Sequence, residues 1–126
     1  MDPNLSAAIA QGGIADITTI GRKTGLPRRI EIYFHSFDGA HYITGRPGSK
    51  RDWLANLKAS PAFTLHLKRG VTADLPAVAT VINDPERRWD LLFQARTESW
   101  GVEPARAERD HEIWVDKSPL ISFVLG

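Results

Sequence analysis

The chain has 126 residues, of which 42% are hydrophobic and 25% are charged, and its formal net charge is +1. This length favours a single domain over residues 1–126. No apolar run approaches the roughly 18 residues of a membrane-spanning helix, and the N-terminus lacks a signal-peptide pattern, so no membrane span is expected. The absence of cysteine excludes disulfides, thiol catalysis and thiolate metal sites, and we expect a cytoplasmic protein.

Alternating apolar and polar residues predict a series of short strands in the first two thirds of the chain. These strands cover 15–20, 29–36, 41–45, 62–68 and 71–82. Asp38-Gly39 is typical of a hairpin turn, whereas Pro76 predicts a bulge or an edge position in the last of the five strands. Asp2-Pro3 favours a short N-terminal helix that ends at Gly12-Gly13.

Helical segments are predicted between and after these hairpins. Residues 50–59 form the first, with Ser49 and Asp52 in a Ser-x-x-acid capping pattern. Asp84-Pro85 begins the second, which carries a short apolar stripe. Hairpins in series with interrupting helices favour a mainly β (α+β) fold, an antiparallel barrel with flanking helices.

The last thirty residues give weaker patterns. Residues 97–110 are polar and poorly periodic, and we expect a loop with helical turns there. Residues 111–115 and 120–125 are predicted to be the last two strands, the second of them nearly all apolar and buried.

Basic residues are concentrated between residues 21 and 51. This segment holds seven of the sixteen basic residues but only two of the fifteen acidic ones, so its net charge is +5. The seven are Arg22, Lys23, Arg28, Arg29, Arg46, Lys50 and Arg51. A basic segment inside an acidic remainder indicates an anionic partner. Because the start of the 50–59 helix would offer free amides beside these cations, we expect a phosphate or carboxylate site.

Other site chemistries find little support. The four histidines, His35, His41, His66 and His111, occur singly without an i,i+4 pair, so no metal site is predicted. Gly-x-Ser-x-Gly, P-loop and Gly-x-Gly-x-x-Gly patterns are absent, which disfavours serine hydrolase, nucleotide-hydrolysing and Rossmann functions. Aromatic residues interleave with the basic ones, but a sequence pI of about 8.1 argues against nucleic acid. Trp53 is instead expected to anchor its helix in the core.

An ordered set of motifs between about Gly13 and Pro61 resembles the deazaflavin-dependent nitroreductase family. The set is G-R-K-T-G, an arginine three residues later, a strand pair with Asp-Gly at its turn, and D-W-x-x-N-L. The resemblance implies a split β-barrel related to FMN-binding oxidases. It also implies hydride transfer from reduced coenzyme F420, an 8-hydroxy-5-deazaflavin, to a small organic acceptor such as a nitroaromatic, a quinone or an enone. Many members carry proline where this chain has Glu31.

The resemblance further implies which residues hold the coenzyme. Those expected at its phosphate and acidic tail are Arg22, Lys23 and Thr24, with Arg28 contributing from the strand. A second group faces the same phosphate region from beyond the hairpin and comprises Arg46, Ser49, Lys50 and Arg51. Trp53 and Asn56 would brace the site from the helix. Where several members line the acceptor side with tyrosines, this chain has Trp100 and Trp114.

Three functions stay open at this point. The first is a reductase that uses coenzyme F420, and the second is an FMN-dependent oxidoreductase of the same barrel. The third is a non-enzymatic barrel that binds a cofactor or a polyanion. Seven cations exceed the need of one phosphate, which favours a coenzyme whose tail carries several carboxylates. The partners expected are a small-molecule acceptor and, as a further possibility, a second copy of the chain in a homodimer.

Overall fold

Six strands form a closed antiparallel barrel in the computed structural model, which describes residues 1–48 and 50–126. The strands are β1 (Gly13–Ile20), β2 (Pro27–Phe37), β3 (Ala40–Thr44), β4 (Ala62–Leu67), β5 (Ala73–Val81) and β6 (Leu120–Leu125). Their order around the barrel is β1-β2-β3-β6-β5-β4, with β4 pairing back to β1. The predicted antiparallel split barrel with flanking helices is confirmed.

Alternation along the strands separates the barrel interior from its outer face. Ala15 and Ile17 of β1 pair with Ile32 and Ile30 of β2, and both β1 residues are fully buried. Because successive side chains of a strand point to opposite faces, the intervening residues of β1 lie outside. The interior is filled by residues of all six strands, among them Phe34, Ile43, Phe63, Leu65, Leu67, Ala77, Ala79, Ile121 and Phe123.

The helices lie outside the barrel. They are α1 (Pro3–Gln11), α2 (Asp52–Ala59), α3 (Pro85–Gln94), α4 (Pro104–Arg109) and α5 (His111–Lys117), with a π-helical turn over Ala95–Ser99. The Asp2 carboxylate accepts hydrogen bonds from the amides of Asn4 and Leu5, so the predicted N-terminal helix is confirmed with its cap. No helix within the described residues is long and apolar enough to cross a bilayer.

The strand predicted near the end of the chain is wrong. Residues 111–115 form helix α5 instead of the predicted strand, and residues 50 and 51 precede the helix predicted to include them, whereas the helical turns expected within 97–110 are present as the end of the π-helical turn and as α4. His111 is buried where its Nε2 lies 2.8 Å from the Trp89 carbonyl oxygen, while Ile113 is exposed. Packing of α5 against α3 therefore overrides the local apolar alternation that suggested a strand.

Pro76 occupies an edge position within an otherwise interior strand. β5 pairs with β4 on one side and with β6 on the other, but β6 ends at Leu125, opposite Ala77. Beyond that point the amide of Gly126 donates to the Pro76 carbonyl at 2.9 Å. Since Pro76 has no N–H to donate, it fits where the neighbouring strand runs out.

Candidate functional site

The turn between β1 and β2 carries the G-R-K-T-G motif in a compact loop. The amide of Gly21 donates to the carbonyl of Leu26 at 2.8 Å, and the amide of Gly25 donates back to Gly21 at 2.8 Å. Gly25 has φ +70°, a conformation that favours glycine. At Gly21 a Cβ would lie 2.7 Å from the Thr24 hydroxyl, so glycine also leaves room for that side chain.

Asn56 ties this turn to helix α2. Its side-chain oxygen accepts hydrogen bonds from the amide and from Nη1 of Arg22, both at 3.1 Å. Its Nδ2 donates to the hydroxyl of buried Thr19 at 3.1 Å. Asn56 is only 2% exposed, so these bonds also satisfy a buried amide. One side chain of α2 thereby sets the position of the basic turn.

A cleft of about 500 Å³ opens between this turn, β2 and the start of α2, and we call it the basic cleft. Its lining consists of Thr19, Gly21, Arg22, Lys23, Thr24, Arg28, Ile30, Asp52, Trp53 and Asn56. Three cations face one carboxylate here, and that carboxylate, Asp52, is 3.4 Å from Arg22 and highly exposed. The cleft therefore keeps a net positive charge, and it brings together six of the ten residues predicted for the site.

The turn also offers backbone donors. Among the described residues, the amides of Lys23 and Thr24 have no protein acceptor. Helix α2 begins at Asp52 on the cleft wall, and within the described part of the chain its N-cap residue Arg51 makes no side-chain capping hydrogen bond. Free amides at a turn and at a helix start, together with nearby cations, form a site suited to a phosphate oxygen.

The remaining predicted site residues lie elsewhere. Ser49 falls outside the described residues, and Lys50 and Arg51 precede α2, so they are not part of its first turn. Arg51 packs on Gly45, where a Cβ would be 2.9 Å from Nη2, and donates to the Arg46 carbonyl at 2.8 Å. Arg51 thus braces the loop after β3, and the Arg46 side chain belongs to a second cavity.

That second cavity, the aromatic pocket, has a volume of about 600 Å³. Its lining consists of Gly45, Arg46, Arg96, Trp100, Val102, Arg106, Asp110 and Trp114. The ring centroids of its two tryptophans are 6.0 Å apart, with the planes tilted by 58°. Two indole walls of this kind suit a planar ring. The sequence indicates the two tryptophans and Arg46 but not Arg96 and Arg106, because these two lie in or beside residues 97–110, where the sequence pattern is weak.

Arg96 is the structural centre of the aromatic pocket. It is 4% exposed, its Nη2 donates to Asp110 at 2.7 Å, and its Nη1 donates to the Ala107 carbonyl at 2.9 Å. The guanidinium lies 4.3 Å from the centroid of the Trp114 ring, a cation–π contact. Its hydrogen bond lowers the pKa of the Asp110 carboxyl, which stays ionised at neutral pH. This pair fixes α4 and α5 against the π-helical turn.

His35 lies beneath one wall of the aromatic pocket. Its ring centroid is 4.9 Å from those of Trp100 and Tyr33, and it is 1% exposed. Neither ring nitrogen has a hydrogen-bond partner within the part of the chain that the structure describes. Burial lowers the pKa of His35 to about 4, so the imidazole is neutral at pH 7. Trp100 therefore packs on this side against the rings of Tyr33 and a neutral His35.

The outer face of the barrel carries a separate network of charged side chains, and Glu31 is part of it. Lys68 lies 2.6 Å from both Glu31 and Asp16, and Asp16 also pairs with Arg29 at 3.0 Å. The hydrogen bond from Lys68 lowers the pKa of the Asp16 carboxyl, with a further contribution from Arg29. Arg29 is thus neutralised away from the cleft.

A second row of polar side chains on this face has the hydroxyl–histidine–aspartate order of a hydrolase triad. The Thr18 hydroxyl is 2.7 Å from Nε2 of His66, whose Nδ1 is 2.6 Å from Asp74. The row lies across adjacent strands β1, β4 and β5, where it links their outer faces. In the described residues no group of His, Asp and Glu side chains could hold a metal.

Comparison with known proteins agrees with this architecture. Residues 5–118 match the family model described as F420H(2)-dependent quinone reductase. Among solved structures, a conserved hypothetical protein from Mycobacterium tuberculosis has a TM-score of 0.75 at 17% identity, covering 99% of this chain and 81% of its own.

Two further structures are described as F420 reductases. One has a TM-score of 0.64 at 16% identity, with 96% of this chain and 92% of that chain covered. The other, an F420-H2 dependent reductase, has a TM-score of 0.58 at 18% identity, with 90% and 94% covered. At these identities the structural similarity establishes the fold alone.

Proposed function

Because the chain belongs to the F420H(2)-dependent quinone reductase family, we propose that its basic cleft holds the phosphate and acidic tail of coenzyme F420 and that its aromatic pocket takes the acceptor. The observation that carries this assignment is the basic turn fixed by Asn56 beside the free start of α2. Guanidinium, ammonium and amide donors are the groups that bind phosphate and carboxylate oxygens best. The donor set of the cleft therefore fits this coenzyme.

The proposal assigns a role to residues of each of the two cavities. The bound coenzyme, when reduced, supplies a hydride. Lys23, Arg28 and the turn amides bind its anions, while Asn56 holds the turn in place. Trp100 and Trp114 orient a planar acceptor and exclude water from one side of it. No acid–base pair is required of the protein, since the proton that follows the hydride can come from solvent.

Coenzyme F420 is expected to bind more tightly than FMN, by about tenfold or more. Both ligands carry a phosphate, but only F420 adds tail carboxylates that can use the second and third cations of the cleft. One additional charge-assisted hydrogen bond contributes about 1.5 kcal/mol, which corresponds to about one decade in affinity. Calorimetric titration of both ligands measures the ratio. Equal or tighter FMN binding would favour the FMN-dependent alternative.

Two lysine variants of equal charge make the location of the site testable in the same titration. Lys23→Gln removes an exposed cation of the cleft, whereas Lys58→Gln removes one from the last turn of α2, outside the cleft. We expect the first to weaken F420 binding about fivefold and to reduce its salt dependence, and the second to leave both unchanged. Equal effects of the two variants would mean that only overall charge matters.

We also propose that the barrel pairs with a second copy through the outer face of β4, β5 and β6. Val78 and Val124 lie opposite each other there and are 40% and 66% exposed. Their neighbours on this face are uncharged, namely Ala62, Thr64, Pro76, Thr80 and Ser122. Two copies of this uncharged patch around Val78 and Val124 can meet about a two-fold axis without like-charge repulsion.

Light scattering should therefore give the mass of a dimer for the natural chain and of a monomer for Val124→Lys. The matched change Ile113→Lys, on α5 and at a residue of similar exposure (58%), should leave the dimer intact. A monomeric natural chain would contradict the proposal.

A further inference from the structure

The aromatic pocket carries more positive charge than its own structure requires. Arg46, Arg96 and Arg106 line it, against the single carboxylate of Asp110. Arg96 and Asp110 pair at 2.7 Å and cancel one another. Arg46 and Arg106 are both exposed, and neither is in an ion pair among the described residues. Two unpaired guanidinium groups therefore remain beside two indole rings.

Helix α4 provides an internal comparison for Arg106. Arg106 and Arg109 both lie in its last turn, where a cation interacts favourably with the helix dipole. Arg106 lines the aromatic pocket, whereas Arg109 does not. A general benefit to the helix would thus be shared by both residues, and a ligand-binding role would belong to Arg106 alone.

The coenzyme does not account for these two cations. Its anionic groups are assigned to the basic cleft, which has Arg22, Lys23 and Arg28 of its own, and no residue of α4 lines that cleft. The Arg46 side chain lines the aromatic pocket, and its backbone carbonyl accepts a hydrogen bond from Arg51. A guanidinium beside an aromatic wall is suited to a ligand that is planar and also carries a carboxylate or sulfonate.

We propose that the natural acceptor is an aromatic oxidant that bears an anionic group, with its ring against Trp100 and Trp114 and its anion on Arg46 and Arg106. This proposal rests on the proposed function and adds the substrate class. In the reaction, the hydride and one proton reduce a quinone to its hydroquinone, while the coenzyme is oxidised. The arginines take no part in that transfer and determine which acceptor is bound.

A matched pair of probes tests the proposal, namely 1,4-naphthoquinone-2-sulfonate and 1,4-naphthoquinone. We expect the sulfonate to quench the tryptophan fluorescence of the coenzyme-free protein at a concentration at least ten times lower than the neutral quinone. This preference should shrink as ionic strength rises. With F420H2 present, the same preference should appear in KM more than in kcat.

Two variants of α4 complete the test. Arg106→Gln should weaken sulfonate binding about fivefold and leave the neutral quinone and F420 unchanged, whereas Arg109→Gln should change none of the three. Equal affinity for the two probes, equal effects of the two variants, or weaker F420 binding in Arg106→Gln would each overturn the proposal. Failure of the proposed function is distinguishable, because neither quinone would then oxidise F420H2, whatever its affinity.

Discussion

Replacing Asn56 by leucine is expected to abolish measurable F420 binding and to lower the unfolding free energy by about 3 kcal/mol. Leucine is similar in size but makes none of the three hydrogen bonds of Asn56, so the Thr19 hydroxyl and the Arg22 amide lose their partners. Each buried polar group left without a partner costs about 1–3 kcal/mol. Because the basic turn is positioned through Arg22, its cations should then no longer converge on one phosphate.

Urea unfolding and calorimetric titration separate the two effects. Titration at a temperature where the variant is still folded shows whether binding is lost through the turn or through unfolding. The control is Asn83→Leu, at an exposed asparagine outside the basic cleft, which should change neither quantity. A folded Asn56→Leu protein that binds F420 with unchanged affinity would show that Asn56 does not position the site.

Replacing His35 by phenylalanine should make the protein resist acid. The pKa of His35 is about 4 in the folded chain and 6.5 when unfolded, so protonation favours the unfolded state. This contribution to stability is present above pH 6.5 and is lost as the pH falls toward 4. A shift of this size corresponds to about 3 kcal/mol. Phenylalanine cannot be protonated, so the variant does not lose this stability in acid. At pH 7 the substitution also removes two buried nitrogens that have no hydrogen-bond partner.

Urea unfolding at pH 7 and pH 4.5 measures the prediction. The natural chain should lose much more stability between these values than His35→Phe. Some acid sensitivity will remain in the variant, because the pKa values of His41, Asp16 and Asp110 are lowered as well. If the natural chain and the variant lose the same unfolding free energy between the two pH values, His35 is solvated. If the variant is less stable at pH 7, the His35 imidazole makes a specific stabilising interaction.

The barrel could be predicted from the sequence because alternation directly reflects the inside and outside of a sheet. Ile17 and Leu65 lie opposite each other in β1 and β4 and are both fully buried. The basic turn could also be predicted, since its residues are contiguous in the sequence. Trp53 is buried, as expected for a core anchor, although it also lines the cleft.

The aromatic pocket could not be predicted, because distant residues create it. Arg96 is buried through contacts with Asp110, fourteen positions later, and with the Trp114 ring. Arg51 was expected to bind phosphate, but its Nη2 donates to a carbonyl of the preceding loop. Local sequence patterns contain no information about such distant partners.

The place of β6 in the barrel has a consequence for how the chain folds during synthesis. β6 lies between β3 and β5, and its first residue, Leu120, is made 76 residues after Thr44 (120 − 44), its pairing partner in β3. Until then β3 and β5 each present an open edge, and open edges are where strands of different chains join. The first hairpins can form early in synthesis, but the barrel can close only after residue 125 has been made. We therefore expect the nascent chain to depend on chaperones that shield strand edges, more than a barrel closed by neighbouring hairpins would.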